Sequence, residues 1–343
     1  MSMSALFAPH KDFLSATLAD IPEGREAAQE REVVENNGVV FRFTGHGALM
    51  CAPSSPVTPR LIISAGVHGN ETAPIEIVNE IVSELLEGLH PVRRECLFLL
   101  GNPPAMKAQE RFIDINLNRL FKESATAGPG YEPNRAAELI AQAQDFVPPG
   151  ETCWHYDLHT AIRGSQIEKF AVYPFLPARQ CPTLQLKLLA ASGVEAVLLQ
   201  NKPAATFSGW SAAEYAAESF TVELGKVYPF GENDLAGLAN LKSQLLALIA
   251  GDDAAIKSYS GKLPEQFQVV EEIINTGKNF QLNIAEDTPN FTELDVGYSV
   301  WRDDEAEYVV SDSPVRIVFP NSKVGPGQRA GLLVRPLPGI LLS

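Results

Sequence analysis

Leu61-Ile62-Ile63-Ser64-Ala65-Gly66-Val67-His68-Gly69-Asn70-Glu71-Thr72-Ala73-Pro74 decides how this chain of 343 residues is read. Its first five residues form a short apolar run of the kind that makes a buried parallel strand, and the small residues after it allow a turn with close backbone approach. Thr72 is placed to cap a helix carrying Pro74 in its first turn, where proline's fixed φ and missing donor are tolerated. Strand, turn and helix in that order put His68 and Glu71 at the carboxyl end of a strand, the edge at which open α/β sheets bind ligands. An imidazole and a carboxylate three residues apart suit one metal ion, and a catalytic zinc ion takes three protein ligands and keeps a fourth position open. The third ligand is expected at His159, where the run Trp154-His155-Tyr156-Asp157-Leu158-His159-Thr160 ends in polar residues.

The same alternation continues outward. Strands are expected at 61–65, 96–100, 154–159, 168–173, 194–200 and 220–224, and helices at 74–89, 134–146, 183–191 and 233–250. The pattern predicts an α/β fold, with a mixed, largely parallel sheet and helices on both faces. A β-hairpin at about 39–51, turning at Gly45-His46-Gly47, is expected ahead of that sheet. Beyond Gly251 only short strand candidates remain, at 267–274, 280–284, 306–310, 314–319 and 331–334. The division expected is a catalytic domain over 1–256 and a smaller C-terminal all-β domain over 257–343 that walls the cleft.

A content of 45% hydrophobic and 20% charged residues is that of an ordinary soluble chain. No run of about 18 apolar residues occurs. Residues 1–20 lack the basic and then uninterrupted apolar regions of a secretory signal, so a cytoplasmic location is expected. A formal net charge of −15 argues against nucleic acid or an anionic membrane as partner, since both need an electropositive surface. Cys51, Cys96, Cys153 and Cys181 form no CxxC pair and are read as packing residues.

Four segments stand in a telling order: His68-Gly69-Asn70-Glu71, Asp114-Ile115-Asn116-Leu117-Asn118-Arg119, Asp157-Leu158-His159-Thr160 and Thr221-Val222-Glu223-Leu224-Gly225. Over roughly residues 60–230 the chain resembles the succinylglutamate desuccinylase/aspartoacylase family of zinc carboxypeptidase-like deacylases. The resemblance implies an amidohydrolase with one zinc ion per subunit on His68, Glu71 and His159. It also implies a small acidic N-acyl amino acid as substrate. N-succinyl-L-glutamate, split to succinate and L-glutamate at the last step of the succinyl pathway of arginine catabolism, is the substrate expected. A deacylase of another N-acyl amino acid such as N-acetylaspartate, a zinc carboxypeptidase, and a binding protein without turnover stay open, as does the oligomeric state.

Amide hydrolysis needs a proton carrier and a means of stabilising charge on the carbonyl oxygen. Glu223 ends the apolar run Phe220-Thr221-Val222-Glu223, and the resemblance gives this carboxylate the role of general base. Arg111, eight residues before Arg119, matches an arginine of the family's site and is the candidate for the developing oxyanion. Asn118 and Arg119 suit a substrate carboxylate, because a guanidinium offers a planar fork of donors. Asp157 shares a strand face with His159 and is a candidate to orient it. Arg163 is preferred over Lys169 and Lys226 for the second carboxylate of a succinyl group, because it directly follows the His159 segment.

Overall fold

In the computed structural model, which describes residues 6–19, 32–122 and 128–338, the deciding apolar run lies in a strand covered on both faces. Leu61, Ile62, Ile63, Ser64 and Ala65 have no exposed surface, which is why they read as a continuous apolar run rather than an alternation. The strands in chain order are β1 Glu32–Asn36, β2 Val39–Gly45, β3 Ala48–Pro53, β4 Val57–Ala65, β5 Arg94–Leu100, β6 Cys153–Ala161, β7 Lys169–Tyr173, β8 Ala196–Leu199 and β9 Glu218–Lys226. The helices are α1 Phe13–Ala19, α2 Thr72–Leu86, α3 Pro103–Ala108, α4 Tyr131–Phe146, α5 Thr183–Ala191, α6 Phe207–Tyr215, α7 Ala239–Ile249 and α8 Asp253–Lys257.

β5, β4, β6 and β9 lie side by side and parallel, β7 joins β9 antiparallel, and β8 continues parallel to β7. Successive side chains of a strand point to opposite faces. Leu61, Ile63 and Ala65 accordingly pack with Ile75, Val78 and Ile81 of α2 and with Leu241 and Leu245 of α7, whereas Ile62 packs on the other side with Leu139 of α4 and Phe207 of α6. The fold is the α/β class expected, with a mixed sheet between helical layers.

Three local expectations change. The hairpin is part of the sheet: β3 pairs antiparallel with β5, and β1 and β2 extend that edge. Thr72 is not the cap of α2. Glu71 holds that position without a side-chain cap, its carboxylate being used elsewhere, and Thr72 Oγ1 donates to Tyr228 O at 2.6 Å. The helix expected from 233 starts at Ala239, after a 3₁₀ turn over Ala236–Leu238. Helices α1, α3, α6 and α8 were not expected. α6 opens Phe207-Ser208-Gly209-Trp210-Ser211, a composition of weak helix formers that tertiary packing on β6 and β9 overrides.

The remaining strands are β10 Glu265–Ile274, β11 Gln281–Leu282, β12 Thr292–Leu294, β13 Ser299–Arg302, β14 Glu307–Val309, β15 Val315–Val318 and β16 Arg329–Pro336. They form the smaller C-terminal β region, with β11, β13 and β14 as a separate three-stranded sheet. The rest continues the main sheet: Glu265 to Gln268 of β10 pair parallel with β8, and β16, β15 and β12 follow antiparallel. Phe170 and Leu198 of the central strands share one apolar cluster with Phe267, Phe291 and Leu332.

The turn after β4 has no slack. A Cβ on Gly66, which has a φ of +67°, would lie 2.1 Å from Met106 Cε, and one on Gly69 would lie 2.1 Å from Ala105 C. Gly69→Ala is expected to cost about 1–3 kcal/mol of stability through forced backbone shifts and to lower metal uptake. Thermal denaturation with and without zinc checks this, and an unchanged Tm would show that the turn yields.

Candidate metal centre and active site

Strand register brings the site together. β6 and β9 pair with His159 opposite Glu223 and Asp157 opposite Thr221, and β4 sets Ser64 opposite Asp157. Asp157, His159 and Glu223 therefore rise from one face at the carboxyl ends of adjacent parallel strands. The turn after β4 delivers His68 and Glu71. The segment after α3 delivers Arg111, and the 3₁₀ turn Leu117–Arg119 follows it.

Both oxygens of Glu71 are engaged. Oε1 accepts from Arg111 Nη1 at 2.7 Å and lies 2.8 Å from His68 Nδ1, while Oε2 is 2.8 Å from His159 Nδ1 and accepts from Thr160 N at 3.1 Å. Each histidine turns its other nitrogen outward, His68 Nε2 to Asn116 Oδ1 at 3.0 Å and His159 Nε2 to Asp157 Oδ2 at 2.9 Å. Asn116 Oδ1 also accepts from Asn118 N at 3.0 Å, which identifies it as the oxygen. Both Nε2 atoms are thus donors, and both Nδ1 atoms face Glu71, the orientation that metal-ligating histidines take from such partners. Asp157 is fixed in turn by Ser64 Oγ, which donates to Oδ1 at 2.6 Å.

This donor set fits a zinc ion. His68, Glu71 and His159 are all buried, and their ligand atoms lie within 4.8 Å of one another. His68 Nδ1 has no hydrogen bond, its approach to Oε1 being out of line. With the proton on Nε2, two acceptors face each other there across 2.8 Å, an arrangement that a shared cation relieves.

Protonation states follow from burial and from these neighbours. Burial first and the Arg111 charge second push His68 down to about 4, leaving the neutral imidazole that a metal needs. Burial alone would raise the Glu71 carboxyl, but the two histidines hold it well below the usual carboxylate range. Burial likewise opposes a charge on His159, yet the carboxylates of Asp157 and Glu71 on its two nitrogens raise it well above the histidine range. Glu223 is pushed up to about 7, by burial first and then by Glu71, against His159 and Arg111. Its Oε2 is buried without a partner.

The structure thus gathers His68, Glu71, His159, Glu223 and Arg111. Asn118 is buried at the edge of the group. Its Oδ1 accepts from Phe207 N at 2.9 Å, and its Nδ2 lies 3.4 Å from His159 Nε2. Arg119 is exposed, and its Nη1 donates to Asn118 O at 2.7 Å. Arg163 makes no hydrogen bond or ion pair with the group among the described residues, and its charge acts on the exposed Glu286. Asn116, given no chemistry from sequence, holds a histidine. Arg329 of β16, whose charge acts on Arg119, carried no sequence signal at all. Cys153 is buried and lies outside the cluster.

Residues 57–249 match the succinylglutamate desuccinylase/aspartoacylase catalytic domain, and residues 262–337 match the AstE/AspA barrel-sandwich hybrid domain. A succinylglutamate desuccinylase of Pseudomonas fluorescens is 41% identical over 327 residues, covering 94% of this chain and 96% of the relative. One of Pseudomonas paraeruginosa is 43% identical over 328 residues, covering 94% and 97%. The crystal structure of succinylglutamate desuccinylase from Vibrio cholerae superposes with a TM-score of 0.86 at 31% identity, covering 97% of this chain and 96% of that one. Murine aminoacylase 3, at 18% identity and a TM-score of 0.55 over 82% of this chain and 96% of its own, shares the fold.

Two outcomes are expected. Asp157→Asn and Asn116→Ala should each weaken zinc affinity about 10–100-fold, read by competition with a chromogenic chelator; wild-type affinity in either would deny it a hold on its histidine. The second concerns pH. In the metal-free folded protein Glu223 keeps its proton up to about pH 7, whereas the unfolded chain releases it near 4.5. The folded state binds more protons between those values, so this group's contribution to stability falls as pH rises from about 4.5 to about 7. Glu223→Gln should flatten that decline in metal-free Tm, and parallel wild-type and variant curves would refute it.

Proposed function

Because the chain belongs to the succinylglutamate desuccinylase/aspartoacylase family, we propose that it hydrolyses N-succinyl-L-glutamate to succinate and L-glutamate, with one zinc ion per subunit. The observation that carries this reading is the register of β6 and β9, which sets a carboxylate titrating at about 7 beside the His68, Glu71, His159 donor set. Zinc held by those three residues supplies a Lewis acid that polarises the amide carbonyl and acidifies water. Glu223 takes the proton of the attacking water on its unpartnered Oε2 and returns it to the leaving nitrogen, a task suited to a group that titrates near the working pH. Arg111 keeps one Nη on Glu71 and offers its other donors to the developing oxyanion. Arg119 holds a carboxylate of the leaving amino acid through its planar fork. Asn118, with Oδ1 committed to Phe207, sets the position of Arg119.

The desuccinylase reading is favoured over aspartoacylase by the names of the relatives at 41–43% identity, against 17% for a solved aspartoacylase-family protein. It fits an acidic chain that keeps Arg111 on Glu71 and Arg119 on the neighbouring Asn118, and on this reading the reaction ends the succinyl route of arginine catabolism in the cytoplasm. No helix among the described residues is long and apolar enough to cross a membrane. A domain division near 256 belongs to the same reading, and the family matches, ending at 249 and resuming at 262, support it.

The test is glutamate release from N-succinyl-L-glutamate by zinc-loaded protein, with N-acetyl-L-aspartate and a dipeptide ending in glutamate alongside. Chelator-sensitive release from the succinyl compound alone is expected, and Glu223→Gln should lower it about 10²–10⁴-fold at unchanged zinc content. Preference for either competitor would overturn the substrate, and full activity of the variant would remove Glu223 from the chemistry.

A further inference from the structure

Arg329 opens β16 opposite Ile274 of β10, distant in the chain from every zinc-region motif. Its side chain is only 18% exposed, yet its guanidinium donates no hydrogen bond among the described residues. Its acidic neighbour Glu272 is 3.9 Å away, beyond hydrogen-bond reach. The ring of Phe319 lies 5.9 Å from its Cζ. A half-buried guanidinium so loosely paired keeps its fork of donors available to an anionic ligand.

Its electrostatic neighbours include two residues of the candidate site. Arg119 feels Arg329 more strongly than any other charge, and Arg329 feels Glu223. The hydrogen bond that Arg119 makes goes to a backbone carbonyl, not to an acid. In a chain of net charge −15, acidic side chains are plentiful, yet neither guanidinium has one at hydrogen-bond distance.

We propose that Arg119 and Arg329 form a two-guanidinium clamp for a dicarboxylate ligand, Arg119 taking one carboxylate and Arg329, from the C-terminal strands, a second. The clamp rests on the hydrolase reading above and extends it, making Arg329 a specificity-determining residue. Each fork can receive a carboxylate through two parallel bonds, which a lysine cannot reproduce. N-succinyl-L-glutamate offers two sources for the second carboxylate, the succinyl terminus and the glutamate side chain, and the recognition chemistry is the same for both.

The test assays Arg329→Gln and Arg329→Lys, zinc-loaded, on N-succinyl-L-glutamate, on N-acetyl-L-glutamate, which lacks the acyl carboxylate, and on N-succinyl-L-glutamine, which lacks the side-chain carboxylate. Succinate and glutarate binding to each protein is measured by calorimetry. Arg329→Gln should lose about 10–100-fold in kcat/KM on N-succinyl-L-glutamate, mainly through KM, as expected for a lost charge-assisted bond, with zinc content unchanged. The loss should nearly vanish on whichever analogue lacks the carboxylate that Arg329 holds, which names the source. Arg329→Lys should recover part of it. An equal loss on all three substrates, or no loss, overturns the clamp. Failure of wild type to turn over any of the three would sink the hydrolase reading instead, and calorimetry then decides the clamp. Weaker dicarboxylate binding by Arg329→Gln than by wild type supports it, and equal or absent binding overturns it.

Discussion

The carboxylate of Glu71 is buried where three separate segments converge: Arg111 Nη1 donates to one oxygen and Thr160 N to the other, and His68 Nδ1 and His159 Nδ1 each lie 2.8 Å from one of them. A buried carboxylate is costly unless its oxygens are bonded, and Arg111 and Thr160 N meet that need here. The residue sits at the N-terminus of α2, where the helix dipole favours a negative charge. Its side chain turns into the site, so the first turn of α2 is tethered instead by Thr72 to the loop after β9. The same negative charge adds to burial in raising Glu223. One ionised group thus organises the donors and, at the next strand, conditions the base.

Beneath this layer lies a buried polar chain. Ser64 links Asp157 to His155, whose Nδ1 is 2.8 Å from Ser211 Oγ, and Ser211 lies 2.9 Å from Ser219 Oγ. Each member has a partner, so the row of polar side chains inside an apolar sheet stiffens β4, β6, β9 and α6 rather than weakening them. His155, which the zinc donor set does not use, is a member of this network.

The fold was legible in the sequence wherever a residue's surroundings come from its own segment. The run at 61–65 announces a doubly covered strand, and the motifs around His68, His159 and Glu223 sit where strand ends require. Legibility failed where distant segments decide. Thr72 has the chemistry of a cap, but a backbone carbonyl 156 residues away claims its hydroxyl. The residues of α6 disfavour helix, and burial of Phe207 and Trp210 against the sheet outweighs that. Arg163 follows His159 closely, yet the chain turns outward after β6, with Ile162 at 55% exposure. Arg329 is its converse, remote in sequence and near in space, reachable only through the pairing of β10 with β16.

That pairing bears on how such a protein can be recombined. Because β10 hydrogen-bonds to β8 on one side and β16 on the other, the strands from β10 to β16 are not an appended cap that can be exchanged at a linker. A chimera carrying another protein's C-terminal strands would have to reproduce the β8–β10 register residue by residue. A slip of one position would turn the face of β10, bury Gln266 and Gln268 differently and carry β16 out of alignment with the zinc-region strands. The C-terminal strands and the central sheet are therefore expected to diverge together, as one cooperative unit of inheritance.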